Sequence, residues 1–89
     1  MRKFEIKPEL EKKLIKLSRK DKSLHNQVIK KIEEVITVSD MDHYKNLRYD
    51  FKDSKRAHIG HFVLIFSYDA STDLVSFENL DHHDNIYER

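Results

Sequence analysis

The 89 residues contain no cysteine, which removes disulfides and thiolate chemistry from consideration. Glycine and proline occur once each, as Gly60 and Pro8, so each is a strong positional marker for a turn or a helix start. No apolar run is long enough to span a membrane, and no signal-peptide core follows Met1. A soluble cytoplasmic protein is therefore expected. Apolar residues make up only 38% of the chain and charged residues 37%. A chain of this length supports one lean core, so a single domain over residues 1–89 is expected.

The net charge of +1 conceals an asymmetry. Residues 1–60 hold 16 Lys or Arg against 10 Asp or Glu, a balance of +6, whereas residues 61–89 hold one Arg against six acids, a balance of −5. The basic part suits a polyanion, because lysines and arginines that neutralise phosphates release counterions. The plain alternative is a solvated helical surface.

Along the chain, Arg2 to Lys7 alternates, with Phe4 and Ile6 on one face, and predicts a short strand with that side buried. Pro8 ends it and suits the first turn of a helix. Glu9 and Glu11 fall where the helix dipole favours acids, and Leu10, Leu14 and Leu17 form one buried stripe. Asp21 to Ser23 breaks the pattern, with Ser23 as the expected N-cap of a second helix over about Leu24 to Ile36. Leu24, Val28, Ile32, Val35 and Ile36 make its stripe, and the short link predicts an antiparallel hairpin. Residues 40–54 show no clean period and read as an ordered loop anchored by Tyr44, Leu47, Tyr49 and Phe51. Aromatics there interleave with His43, Lys45, Arg48 and Lys52, a pattern that suits RNA, since bases stack while cations meet phosphates.

The most apolar run is Phe62 to Tyr68, a buried strand. Gly60-His61 before it fits a two-residue type II′ turn with glycine first. That turn sets Ile59 opposite Phe62, His58 opposite Val63 and Arg56 opposite Ile65. Arg56 and His58 then share one sheet face. A turn over Asp69 to Asp73 leads to a last strand, Leu74 to Leu80, and the tail brings His82, His83 and Tyr87 back to the sheet end. The expected class is α+β: an N-terminal strand, an antiparallel helix hairpin and a three-strand antiparallel meander, forming one sheet covered by the helices.

Three segments in this order resemble the RelE/ParE superfamily of toxins: YKNLR (44–48), KRAHIGHFVLIF (55–66) and SFENLDHHDNIY (76–87). The details are most similar to the YafQ-type branch and its archaeal relatives, where histidines replace several arginines. The resemblance implies an endoribonuclease (an mRNA interferase) that cuts messenger RNA on the ribosome, inhibits translation, uses no cofactor, and is held inactive by a cognate RelB-like antitoxin. His58 matches the histidine that ends the second strand of the YafQ type. His61 and Phe62 stand where that branch has an acid and an aromatic, and His83 and Tyr87 match its closing histidine and aromatic. Val63 stands where the RelE branch has an arginine, a departure from that branch.

The chemistry is consistent with these residue types. Metal-free RNA cleavage uses the ribose 2′-hydroxyl as nucleophile and needs a base, an acid and cations around the phosphorane. Two histidines can serve as base and acid, and Lys or Arg supply the electrostatic stabilisation. The catalytic candidates are His58, His83, Arg56, Lys55 and Tyr87. The RNA-binding candidates are Lys45, Arg48, Lys52, His61 and His82. Two rival readings remain at this point. One is a metal site built from Asp81-His82-His83-Asp84 with His58 or His61, which is disfavoured because adjacent histidines on an extended chain point to opposite sides and no H-x-x-x-H spacing is present. The other is a non-catalytic, ParE-like inhibitor or an inert binding module.

Overall fold

The computed structural model describes the backbone of residues 1–44, 46–48 and 51–87, and the side chains of residues 1–44 and 54–85. The elements run β1 (Lys3–Ile6), α1 (Pro8–Lys20), α2 (Lys22–Thr37), a 3₁₀ turn (Met41–His43), β2 (Asn46–Arg48), β3 (Phe51–Ile59), β4 (Phe62–Asp69), β5 (Leu74–His82) and α3 (His83–Tyr87). They form one five-stranded sheet in the order β1-β5-β4-β3-β2. β1 pairs parallel to β5, and the other neighbours are antiparallel. The α+β expectation holds, with the helix hairpin carrying the chain across one face from one edge of the sheet to the other.

The core lies between that face and the hairpin. Leu10 and Leu14 of α1, and Val28, Ile32, Val35 and Ile36 of α2, pack on Ala57, Ile59, Leu64, Phe66, Val75, Phe77 and Leu80 of the sheet. Phe77 and Leu80 are an odd number of residues apart, so strict alternation would send one of them to solvent. A register shift at Ile65/Phe66, where Asn79 and Phe77 are the successive partners, lets both face the core.

Three local expectations are corrected. The N-cap of α2 is Asp21, not Ser23: Leu24 N–H donates to Asp21 Oδ1 at 3.1 Å, and Asp21 N–H closes α1 by donating to Leu17 at 2.9 Å. One residue ends the first helix and starts the second, so no linker is left for Ser23 to cap. Phe4 is 45% exposed rather than buried, because β1 is an edge strand; its ring meets Phe77 in a T-shaped contact at 6.1 Å between centroids. The loop read over 40–54 contains the 3₁₀ turn, β2 and the start of β3. Its anchor Tyr44 is buried at 6% exposure, and the side chains of Leu47, Tyr49 and Phe51 lie outside the described residues.

The β3–β4 hairpin has the expected register: Ile59 pairs with Phe62, His58 with Val63 and Arg56 with Ile65. Gly60 has φ +59° and His61 does not share the left-handed region, the pattern of a type II′ turn. Among the described residues no helix is long and apolar enough to cross a membrane.

Candidate active site

Alternation along β3 turns Ala57 and Ile59 inward to the helices, where both are buried, and sends Arg56 and His58 to the opposite face. Val63, paired with both His58 and Asp81, is fully buried there and stands apart from the helix-side core cluster. α3 begins at the end of β5, and His83 N–H donates to the His61 carbonyl at 2.7 Å. That bond ties the β5–α3 junction to the tip of the hairpin and brings four histidines to one end of the sheet.

They form two ring pairs. His58 and His83 lie 5.6 Å apart between centroids. His61 and His82 stack at 6.1 Å with an interplanar angle of 11°, and His82 also meets the edge of Phe62 at 5.5 Å. Partial desolvation, with the Arg56 guanidinium and His83 nearby, lowers the His58 pKa below the ordinary 6.5. A lowered value keeps the imidazole neutral and able to accept a proton near pH 7.

Arg56 is half-buried and lines a cleft with Lys31, Glu34, His43, Tyr44 and His58 where β3 runs past β2 towards α2. Lys55 is held from behind: its Nζ donates to the Tyr44 carbonyl at 3.2 Å and stands 4.0 Å from Asp42. Tyr44 is in turn fixed by its hydroxyl, which donates to Glu34 Oε2, and by edge contact with Phe66 at 5.5 Å.

The structure therefore brings together His58, His83 and Arg56, with His61 and His82 as a second pair beside them. Lys45, Arg48, Lys52 and Tyr87 fall outside the described side chains; the backbone of Arg48 pairs with Phe51, and Tyr87 is the last residue of α3. One group escaped the sequence reading, and a second was weighed there only as a metal ligand. Glu34 joins the site wall through Tyr44, a contact between a helix and a loop that no local pattern signals. Asp84 sits between the two tail histidines, 3.7 Å from His82 Nδ1 and 3.9 Å from His83 Nδ1; the D-H-H-D run was the available sign. Among the described residues no three His, Cys, Asp or Glu side chains are placed to hold one metal ion.

No family model matches the chain. A Methanocaldococcus jannaschii protein named "Putative toxin RelE4" is 46% identical over 90 aligned positions, covering 100% of this chain and 94% of the relative. The chain belongs to the RelE toxin family. A second relative of this RelE-family chain, an uncharacterized protein of Methanosarcina mazei, is 39% identical over 94% of the chain and 96% of its own length. Two solved structures share the RelE-family fold at low identity. The toxin–antitoxin complex RelBE2 of Mycobacterium tuberculosis matches with a TM-score of 0.73 at 17% identity, over 91% of this chain and 96% of that one. YafQ of Escherichia coli matches with a TM-score of 0.71 at 18% identity, over 98% and 99%.

Proposed function

We propose that this RelE-family toxin is a metal-independent endoribonuclease that cleaves messenger RNA in the ribosome, works in the cytoplasm, and is restrained by a RelB-like antitoxin. The observation that carries the reading is the 5.6 Å approach of the His58 and His83 rings, residues 25 positions apart in sequence, beside Arg56. Two imidazoles at that spacing can address the attacking and leaving oxygens of one phosphate.

In the proposed reaction the 2′-hydroxyl attacks the adjacent phosphorus while its proton passes to His58. The lowered pKa of His58 suits it to be the base. The P–O5′ bond breaks, and His83 protonates the departing 5′-oxygen, leaving a 2′,3′-cyclic phosphate and a 5′-hydroxyl. Arg56 stabilises the negative charge that grows on the phosphorane, whereas Lys55, on the side of β3 that carries Ala57 and Ile59, fixes the site wall by donating to the Tyr44 carbonyl. Tyr87 stacks on a base or assists the proton transfer. Lys45, Arg48, Lys52, His61 and His82 hold the strand on either side.

The test is cleavage of a translated mRNA, with 5′ ends mapped. His58→Ala and His83→Ala should each lower the rate by about 10²–10⁴ while the circular dichroism spectrum is unchanged. Full activity in either folded variant rejects the pairing. Intact mRNA with the wild-type protein rejects the nuclease and leaves the non-catalytic inhibitor.

A further inference from the structure

Glu34 takes no part in the cleavage step, yet it stands in the cleft that holds Arg56 and His58. That cleft, where β3 runs past α2, has a volume of about 410 Å³, within the range of about 300–1,000 Å³ in which ligand clefts fall. Glu34 is the one carboxylate among its described lining residues, set among Lys31, His43, Tyr44, Arg56 and His58. A cleft built for phosphate alone has no use for an acid, which repels the RNA backbone.

The carboxylate is held in place. The Tyr44 hydroxyl donates to its Oε2. Lys31 Nζ, one turn earlier on α2, donates to Oε1 at 3.2 Å and to Oε2 at 3.4 Å. The Tyr44 bond, with Lys31 beside it, keeps the Glu34 pKa below its ordinary value, so near pH 7 the group is ionised and only accepts. Each oxygen has two lone pairs, and the side chain is 47% exposed, so acceptor capacity remains open to a ligand. His43, exposed at the same cleft, offers an aromatic ring set at 87° to Tyr44.

We propose that this cleft selects guanine at the nucleotide whose 2′-hydroxyl attacks, with Glu34 reading the Watson–Crick edge of the base. The inference rests on the ribonuclease reading and adds a sequence preference to it. Guanine alone sets two donors, N1–H and N2–H, side by side on that edge. Adenine and cytosine set a donor beside an acceptor, and uracil flanks its one donor with two acceptors. The carboxylate meets the guanine pair with both oxygens, Oε1 taking N1–H and Oε2 taking N2–H. Lys31, beside Oε1, meets the guanine O6. Unstacked RNA bases are read in this way, by hydrogen bonds to their edges and by stacking on aromatic rings, histidine among them; His43 supplies the ring. The side of the cut follows from His58, which lines the cleft and takes the proton of the 2′-hydroxyl on the same nucleotide. His83 serves the leaving oxygen of the next one.

The experiment compares the wild-type, Glu34→Gln and Tyr44→Phe chains on translated messages that differ only in the nucleotide 5′ of the mapped cut. Each ¹⁵N-labelled full chain is also titrated with the nucleoside 3′-monophosphates of the four bases. The wild-type chain should cut after guanine, and bind guanosine 3′-monophosphate, about tenfold better than with any other base. Glu34→Gln keeps an oxygen for the Tyr44 hydroxyl but sets a donor beside it, so its preference should move from guanine to adenine, the purine with the matching pattern. Tyr44→Phe keeps the carboxylate and should keep the guanine preference. A carboxylate that served only to hold Tyr44 would give the opposite result in both variants. Equal cutting after all four bases, a guanine preference that survives Glu34→Gln, or one lost in Tyr44→Phe overturns the proposal. Intact mRNA with the wild-type chain overturns the ribonuclease reading instead; guanosine 3′-monophosphate binding no tighter than the other three then overturns the guanine subsite as well.

Discussion

Tyr44→Phe is the sharpest probe of how the site is held. The substitution keeps the ring, which is 6% exposed and packed against Phe66, and keeps the carbonyl that holds Lys55. It removes only the hydroxyl that donates to Glu34. A hydrogen bond to a charged group contributes about 1.5–3 kcal/mol. Glu34 is 47% exposed and retains Lys31 at 3.2 Å, so screening reduces the expected loss to about 1 kcal/mol at pH 7. That lowers Tm by about 4–8 °C for a domain of this size. Alkaline pH supplies the control. Burial, followed by the Glu34 bond and charge, raises the Tyr44 pKa well above its ordinary 10. The folded state therefore favours the neutral phenol. The contribution is full below pH 10 and falls by up to about 1.4 kcal/mol per pH unit as the unfolded chain ionises above it. An advantage of about 1 kcal/mol is then used up near pH 11, where the two urea curves should cross. Equal stability at pH 7, or a difference that does not shrink between about pH 9 and pH 11, refutes the reasoning.

Asp21→Ala should cost about 1 kcal/mol in urea unfolding, because it removes the cap bond to Leu24; Ser23→Ala should stay within about 0.5 kcal/mol. Gly60→Ala meets nothing within 4 Å of its new Cβ, so its expected loss of about 1–2 kcal/mol comes from φ +59° alone. In the pH profile of cleavage the acidic limb should lie below the ordinary 6.5 of histidine, since His58 must be neutral to act as base and its pKa is lowered. Arg56→Gln should move that limb upward by removing a neighbouring positive charge, and an unmoved limb speaks against His58 as the base.

Much of this architecture was legible because a few residues carried strong local constraints. Pro8 started α1, the leucine stripe set its buried face, and the lone glycine fixed the hairpin register that puts Arg56 and His58 on one face. What stayed hidden depends on long-range contacts. The parallel pairing of β1 with β5 joins residues about seventy positions apart. β2 is three residues long, too short to show a period. The bulge opposite Ile65 and Phe66 appears only once two strands are paired. At the site, the resemblance and the turn register together point to His58 and His83, whereas Glu34 and Asp84 enter through a tertiary contact and a helix start.

The most direct test of the central claim replaces one ribose. A messenger RNA carrying 2′-deoxy sugar at the mapped cleavage position should resist the wild-type toxin at that position. The all-ribose message should be cut there to a 2′,3′-cyclic phosphate and a 5′-hydroxyl, by a protein that depends on both His58 and His83. Cleavage of the 2′-deoxy message, or a product with a 5′-phosphate, would contradict the account.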